Sequence, residues 1–590
     1  MADDDLEIGA DEEESSNGHG PTVLTSKKSS EEEPYRKGEM RTVEWVDGLF
    51  NEAENAKNEQ CDPDTWEDSL STYWGDTWPS QMPSYKPRIE VNEIKSLMLQ
   101  ELSDLTDSRL TVYVQKNKES AERDKNAEQA IQTYWKRNYA DMTVLQSALD
   151  ALIYPLGFLQ TGWDPLMRQG QGDILFKSRD PDSVFPDPDA EWDPQSGEES
   201  MRYMILEDIL DILDIRRRFP ETGYLVKPEE AYSVKARQTS EGRPGPRGSS
   251  GYMGPLYNKT GYGAGVPGYK KARAQVLTCV VDDPETEQEI TEIQGVLRQV
   301  ERYKYPHRRM LITANGRVLY DEDQPFWYAP ILTSVRLQPS VHSYWPAQSL
   351  VAEFAEIQRS ANKADSMVIE NMLRCNSAVI MADADSGISP KTYAPIPGLV
   401  ILRKPGSRID VVQATPMAPE MLTEGERLRG YIRGVMGYPT SRTGAGTHGN
   451  VAAELAETEI SQAMGLTRLR GRLLYQSVQR AVEMIFARMA QFYQTPRHLP
   501  YVEQGDLHTI KWEPIMQPED YAVHVDEDSF SVRSKTMVQR LALMLAKMGK
   551  LPDEELLKTL EFPNAVEVAK KLQTQLLLQA IAKMKQGKKK

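Results

Sequence analysis

The sequence predicts an α+β fold, mainly α, and three observations carry that prediction. Apolar residues recur at three- and four-residue spacing over several long stretches, as Leu350, Val351, Phe354, Ile357, Ala361, Ala364, Met367 and Val368 do. Asn450 to Gln494 contains no proline, and as one helix it would span about 65 Å at about 1.5 Å per residue. Between such stretches lie short apolar runs bounded by glycine, proline and aspartate, the pattern of strands and tight turns.

Residues 1–40 are acidic and poor in apolar side chains, with Asp3-Asp4-Asp5, Asp11-Glu12-Glu13-Glu14 and Glu31-Glu32-Glu33, a composition that predicts a solvated, disordered tail. A helix is predicted over Thr42–Asn58 on Val43, Val46, Phe50 and Ala53, followed by an aromatic stretch, Trp66 to Trp78, expected to pack locally. Val91–Thr106 places Ile94, Leu97, Met98, Leu102 and Leu105 on one face of a helix. A further helix over Ser120–Lys136 breaks near Asn138 and resumes through Leu152 to Pro155-Leu156-Gly157. Gly157–Asp164 and Gly172–Lys177 read as paired strands, and Asp180–Pro188 as an extended turn segment. Asp180, Asp182, Asp187 and Asp189 lack the spacing and turn glycine of a calcium loop, so proline-shaped turns account for them better than a cation.

Residues 238–270 form a low-complexity insert in which Gly242, Gly245, Gly248, Gly251 and Gly254 make triplets too few for a collagen helix, leaving an exposed flexible loop as the expectation. Gln275–Val281 reads as a strand, and Ala314-Asn315-Gly316-Arg317 between Met310-Leu311-Ile312 and Val318-Leu319-Tyr320 is a two-residue hairpin signal. A long helix then opens at Pro346. From Arg374 to Ala418 the strand-like runs Ala378–Met381 and Leu399–Leu402 interrupt the helical pattern. A second helix, Pro419 to Met436, stops at Gly437 and Pro439. The glycine-rich stretch Ser441–Gly449 follows, and then the long helix, with Gly465 and Gly471 as expected kink points. Residues 505–530 read as return strands. Val538, Leu541, Leu545, Met548, Leu556 and Leu560 restore a helical pattern, and a last helix ends in a lysine-rich terminus.

The chain has 590 residues, enough for several domains or one elongated protomer, and 39% hydrophobic content with a net charge of −18. Mean hydropathy is −0.57, and no run of 18 apolar residues occurs, so nothing in the sequence predicts a membrane span. Cys61, Cys279 and Cys375 are widely separated and form no Cys-x-x-Cys pair, which predicts neither a zinc site nor a disulfide framework. No cofactor is predicted. Strong acidity disfavours a tight grip on DNA, whose phosphates reward basic surfaces; it suits either plain solubility or a conduit along which DNA slides.

The one stretch with a catalytic outline is Gly444-Ala445-Gly446-Thr447-His448-Gly449, the glycine skeleton of a phosphate loop ahead of a helix. A working loop needs Lys and then Ser or Thr next, and Asn450 and Val451 stand there instead. His-Glu-x-x-His and Gly-x-Ser-x-Gly are absent, so the sequence predicts no enzyme.

The succession of helix, strand insert, helix, glycine-rich loop and long helix resembles the portal protein of tailed bacteriophages. Tyr344-Trp345-Pro346-Ala347-Gln348-Ser349 with Gln358 and Asn362, then Gly437-Tyr438-Pro439, then Asn450-Val451-Ala452 carry the resemblance, which covers about residues 85–530 as an order of elements. It implies a disordered tail at 1–40 and an α+β wing at 41–342. A stem helix follows at 343–373, an α/β clip at 374–418, a second stem helix at 419–438 and a tunnel loop at 439–450. The long kinked wing helix with its return strands fills 451–530, and a helical crown 531–590.

The resemblance further implies a dodecameric ring at one capsid vertex, in the virion and, during assembly, in the host cytoplasm. Double-stranded DNA would pass through it. The partners implied are the large terminase subunit, major capsid and scaffolding proteins, and head–tail adaptor or tail proteins, with no membrane. Arg442, Thr443, Gly444, Gly446, Thr447, His448 and Gly449 would face the channel, and Arg403, Lys404 and Arg408 would dock partners on the clip. Arg468, Arg470, Arg472 and Arg480 on the long helix would touch DNA or pair with carboxylates of a neighbouring subunit. The alternatives are a nucleotide-dependent DNA-handling enzyme with a degenerate phosphate loop, or a minor head or scaffold protein.

Overall fold

The computed structural model describes residues 38–78, 86–106, 111–116, 123–165, 167–193, 201–229, 272–293, 296–326, 330–340, 343–346, 348–376, 379–383, 405–406, 408–412, 417–438, 464–503, 506–512, 514, 521–526 and 535–560, with 568, 571 and 574. The fold is mixed α and β. Two compact units share the chain: segments 1–60 with 182–327, and 61–181 with 328–590.

In the first unit, β4 (Val184–Pro186), β5 (Tyr203–Asp211), β6 (Arg273–Val281), β9 (Arg309–Ala314) and β10 (Arg317–Asp323) form an antiparallel sheet in the order β10-β9-β6-β5-β4. Side chains alternate across a strand, so Leu277, Cys279 and Val281 of β6 join Val46 and Ala53 of α1 (Glu39–Gln60) on one face. Ala274 and Val276 join Ile212 and Ile215 of α6 (Ile212–Arg218) on the other. Covering both faces explains why β6 reads as a nearly unbroken apolar run. Burial pushes the Cys279 thiol up to about 12, leaving it an inert core residue. Lys57 is buried at the end of α1, where its Nζ donates to the carbonyls of Asp182 (2.9 Å) and Val184 (3.0 Å) and lies 4.5 Å from the centroid of the Phe185 ring. Asn315 and Gly316 both take positive φ (42° and 74°), as a two-residue hairpin turn requires.

The Asp180–Pro188 segment is not wholly a turn, because Val184–Pro186 pairs with β5 as an edge strand. Arg202 fixes Asp187 through Nε (2.9 Å) and Nη2 (3.1 Å) and Asp189 through Nη2 (2.6 Å), so an arginine satisfies these two aspartates. The sequence also hid a two-stranded hairpin, β7 (Thr286–Ile293) with β8 (Val296–Tyr303).

In the second unit, α5 (Ala140–Ile153) packs on the sheet β11-β2-β3, formed by Leu332–Val335, Gly157–Asp164 and Asp173–Arg179. Contact is tight at Gly157, where a Cβ would lie 1.9 Å from the carbonyl oxygen of Ser147. The long helix α10 (Gly465–Phe492) runs against β2, β11 and β16 (Tyr521–Val525), burying Leu474, Val478, Val482, Ile485 and Met489. β16 pairs with β1 (Val112–Lys116), and β14 (Arg497–Glu503) with β15 (Asp506–Trp512), so the return strands begin earlier than 505. Gly471 sits within α10, and the part of the expected helix before Met464 lies outside the described residues.

The aromatic stretch Trp66–Trp78 packs locally only in part, with the Tyr73 and Trp74 ring centroids 5.4 Å apart. Residues Pro63–Trp74 form a helix, α2, capped by Asp62, whose side chain accepts from the Asp64 amide, and closed by Gly75 at φ 82°. Trp66 packs at long range, its ring centroid 5.3 Å from that of Tyr154 and 5.7 Å from that of Trp345. The acidic tail and the 238–270 insert lie outside the described residues.

Candidate functional site

Helix α7 (Leu350–Asn376) leads to a small strand pair, β12 (Val379–Ala382) with β13 (Ile409–Val412), and the chain returns along α7 through a single turn, α8 (Pro419–Leu422), and α9 (Glu424–Met436). Helix α7 starts at Leu350 rather than Pro346 because Ser349 caps it, its Oγ accepting from the Ala352 amide at 3.1 Å. Along α7, Gln358, Asn362 and Ser366 stand one turn apart and bind the extended chain at 89–91. Gln358 donates to the Val91 carbonyl, Val91 N to Asn362 Oδ1 (3.3 Å) and Ile89 N to Ser366 Oγ (3.1 Å).

Polar contacts hold the helix pair as well as apolar ones. Gly425 lets the helices meet, since a Cβ there would lie 2.1 Å from Asp365 Oδ1. Arg429, nearly buried, donates through Nη2 to Asp365 Oδ2. Arg433 donates to Glu93 (2.6 Å) and Glu426 (2.8 Å), and the Glu93 hydrogen bond, first among the causes, raises the already high pKa of this guanidinium.

A buried junction follows the second helix. Gly437 takes φ 83° and ends α9, and Tyr438 turns into the protein. Its hydroxyl is 2.7 Å from Glu101 Oε2 and 2.9 Å from Asp104 Oδ2. Both carboxylates lie on α3 (Glu93–Thr106). Thr467, in the first turn of α10, donates to the same Glu101 oxygen at 3.1 Å, and Arg470 stands 3.2 Å from Oε1. Arg470 of the basic stripe is thus paired within its own chain. Sequence reasoning passed over Glu101, although a glutamate on the stripe of Leu97, Met98 and Leu105 is itself a signal.

A second polar knot lies at the start of β3. Asp173 binds Arg137 (3.2 Å), Arg168 and the Tyr493 hydroxyl. Burial opposes its ionisation, but the hydrogen bonds from Tyr493 and Arg168 outweigh that and hold the carboxyl below its ordinary value.

Of the predicted site residues, Arg408 is described. Its amide donates to Asp383 Oδ2 at 2.7 Å and its carbonyl accepts from the Asp383 amide at 3.2 Å, locking the open end of the strand pair and leaving the residue exposed. Arg403, Lys404, Arg442, Thr443, Gly444, Gly446, Thr447, His448 and Gly449 lie outside the described residues. No group of three or more potential metal ligands occurs among the described residues, and no helix there is long and apolar enough to cross a membrane.

The pair of helices joined through a small strand insert keeps the helix–insert–helix order on which the resemblance to phage head–tail connectors rests. The chain belongs to the phage P22-like portal protein family, whose match covers residues 61–590. No curated protein matches the chain.

Proposed function

We propose that this portal protein closes into a dodecameric ring at one capsid vertex and forms the channel through which double-stranded DNA enters and leaves. The apolar surface left exposed on the helix pair carries this reading. Met372 (56%), Leu373 (53%), Tyr431 (53%) and Val435 (54%) face outward, with Met367, Met421 and Leu422. Large apolar side chains left in solvent mark an association site, and a heterologous contact repeated around an axis closes into a ring.

Gly430 and Gly434 add support. Among the described residues a Cβ at either position meets nothing within 4 Å, yet each interior glycine costs a helix about 1 kcal/mol relative to alanine. The cost is explained if a neighbouring copy packs closely against that face.

In this reading the net charge of −18 keeps the channel wall from holding the phosphate backbone. Arg442, Thr443, Gly444, Gly446, Thr447, His448 and Gly449 face the DNA, and Arg403, Lys404 and Arg408 on the strand insert meet the large terminase subunit during packaging and adaptor or tail proteins afterwards. Energy comes from the terminase, since this chain lacks the Lys and Ser or Thr of a phosphate loop. Capsid and scaffolding proteins surround the ring in the virion vertex, after assembly in the host cytoplasm.

Native mass spectrometry with electron microscopy of the purified chain tests the proposal. Chains of 66.8 kDa would give a ring of roughly 800 kDa with a central channel. A compact monomer that hydrolyses ATP overturns it in favour of the nucleotide-dependent enzyme.

A further inference from the structure

Glu101 has no exposed surface. Burying a carboxylate costs several kcal/mol unless close partners offset it, and leucine would fill this position on the stripe of α3 without that cost. The partners that Glu101 gathers come from two different helices. Tyr438 follows the last turn of α9, and Thr467 and Arg470 belong to the first turns of α10. Tyr438 and Thr467 meet the same oxygen, at 2.7 and 3.1 Å, while Arg470 stands beside the other at 3.2 Å. Apolar packing would let the two helix ends slide over α3. Directional hydrogen bonds to one oxygen fix them to each other.

We propose that Glu101 is a positioning residue that fastens the end of α9 to the start of α10, so that the two helix ends open and close as one unit. The portal reading supplies only its use: a tilt of the second stem helix is passed directly to the long helix, across the chain between Tyr438 and Met464.

Hydrogen exchange of the full chain in mild urea, read by mass spectrometry, tests the fastening. Amides of 433–438 and 468–471 are expected to share one opening constant within about two-fold in the wild-type chain. In Glu101→Ala the two constants separate by about ten-fold or more, whereas Glu101→Gln, which keeps an acceptor for both hydroxyls, leaves them matched. If Glu101→Ala does not fold, Thr467→Val removes one arm and spares the Arg470 pair, and the same separation is expected. Wild-type constants more than about ten-fold apart, or constants that stay matched in both Glu101→Ala and Thr467→Val, overturn the proposal. Native mass spectra of the same chains without urea read ring assembly separately: absence of a ring in the wild-type chain counts against the proposed dodecamer and leaves the fastening to stand on the exchange data.

Discussion

Gly425 lies so close to Asp365 that a Cβ at 425 would sit 2.1 Å from Oδ1, and Arg429 one turn on donates to the other oxygen of that carboxylate. The glycine is the reason the ion pair can form between the helices. Gly425→Ala is therefore expected to destabilise the protein although alanine is the better helix former, worth about 1 kcal/mol. Displacing Asp365 leaves Arg429 nearly buried, with Glu426 4.0 Å away, a loss of about 2–3 kcal/mol net. Urea unfolding checks this: the midpoint falls and the slope stays constant.

Lys57 makes a comparable prediction for the first unit. Its ammonium donates to two backbone carbonyls of the segment entering β4 and lies over Phe185. Lys57→Met keeps most of the aliphatic volume and removes both hydrogen bonds, leaving two carbonyls short of a donor. The expected cost is about 2–3 kcal/mol, with hydrogen-exchange protection lost first at the Val184 and Phe185 amides.

Elements whose neighbouring residues carry a strong pattern were legible in the sequence, and elements with a weak local pattern or long-range partners were not. The Asn315-Gly316 turn and the stripe of α3 follow from neighbouring residues alone. The helix over Pro63–Trp74 was missed because its aromatics suggested a local cluster, whereas Trp66 finds its partners at Tyr154 and Trp345. The β7–β8 hairpin was missed because Thr286-Glu287-Gln288-Glu289 offers too little apolar alternation to mark a strand. Pro346 outweighed Ser349 as a helix start, yet the cap is the hydroxyl that reaches the Ala352 amide. In the site, the order of helix, insert and helix was readable. The Glu101 junction was not, since its partners Tyr438 and Thr467 lie 337 and 366 positions away.

Asp173 gives a prediction in pH. Hydrogen bonds hold its carboxyl below the ordinary value despite burial, so the folded state binds its proton more weakly than the unfolded chain does. The stabilisation is complete above about pH 4, where the unfolded carboxyl is ionised, and is lost as pH falls through the folded value. Asp173→Asn is expected to cost about 2 kcal/mol at pH 7, a figure kept low because Arg137 and Arg168 are each about one-third exposed. The gap between variant and wild type should narrow below pH 4. Urea titrations at pH 7 and pH 3.5 decide it, and a gap that is constant across that range would show that Asp173 acts there without its charge.

The exposed face of α9 separates the needs of the protomer from those of a ring. Nothing among the described residues opposes a methyl group at Gly430 or Gly434, so Gly430→Ala and Gly434→Ala are each expected to raise protomer stability by about 0.5–1 kcal/mol. In the proposed ring the same methyl groups stand between closely packed copies, and the assembled fraction in native mass spectra should fall. Tyr431→Glu sharpens the contrast. Tyr431 is half exposed, so the protomer should unfold within about 0.5 kcal/mol of wild type, while a carboxylate placed in an apolar contact between copies should prevent closure. Rings that form normally in all three variants would place the contact between copies on another face of the protein.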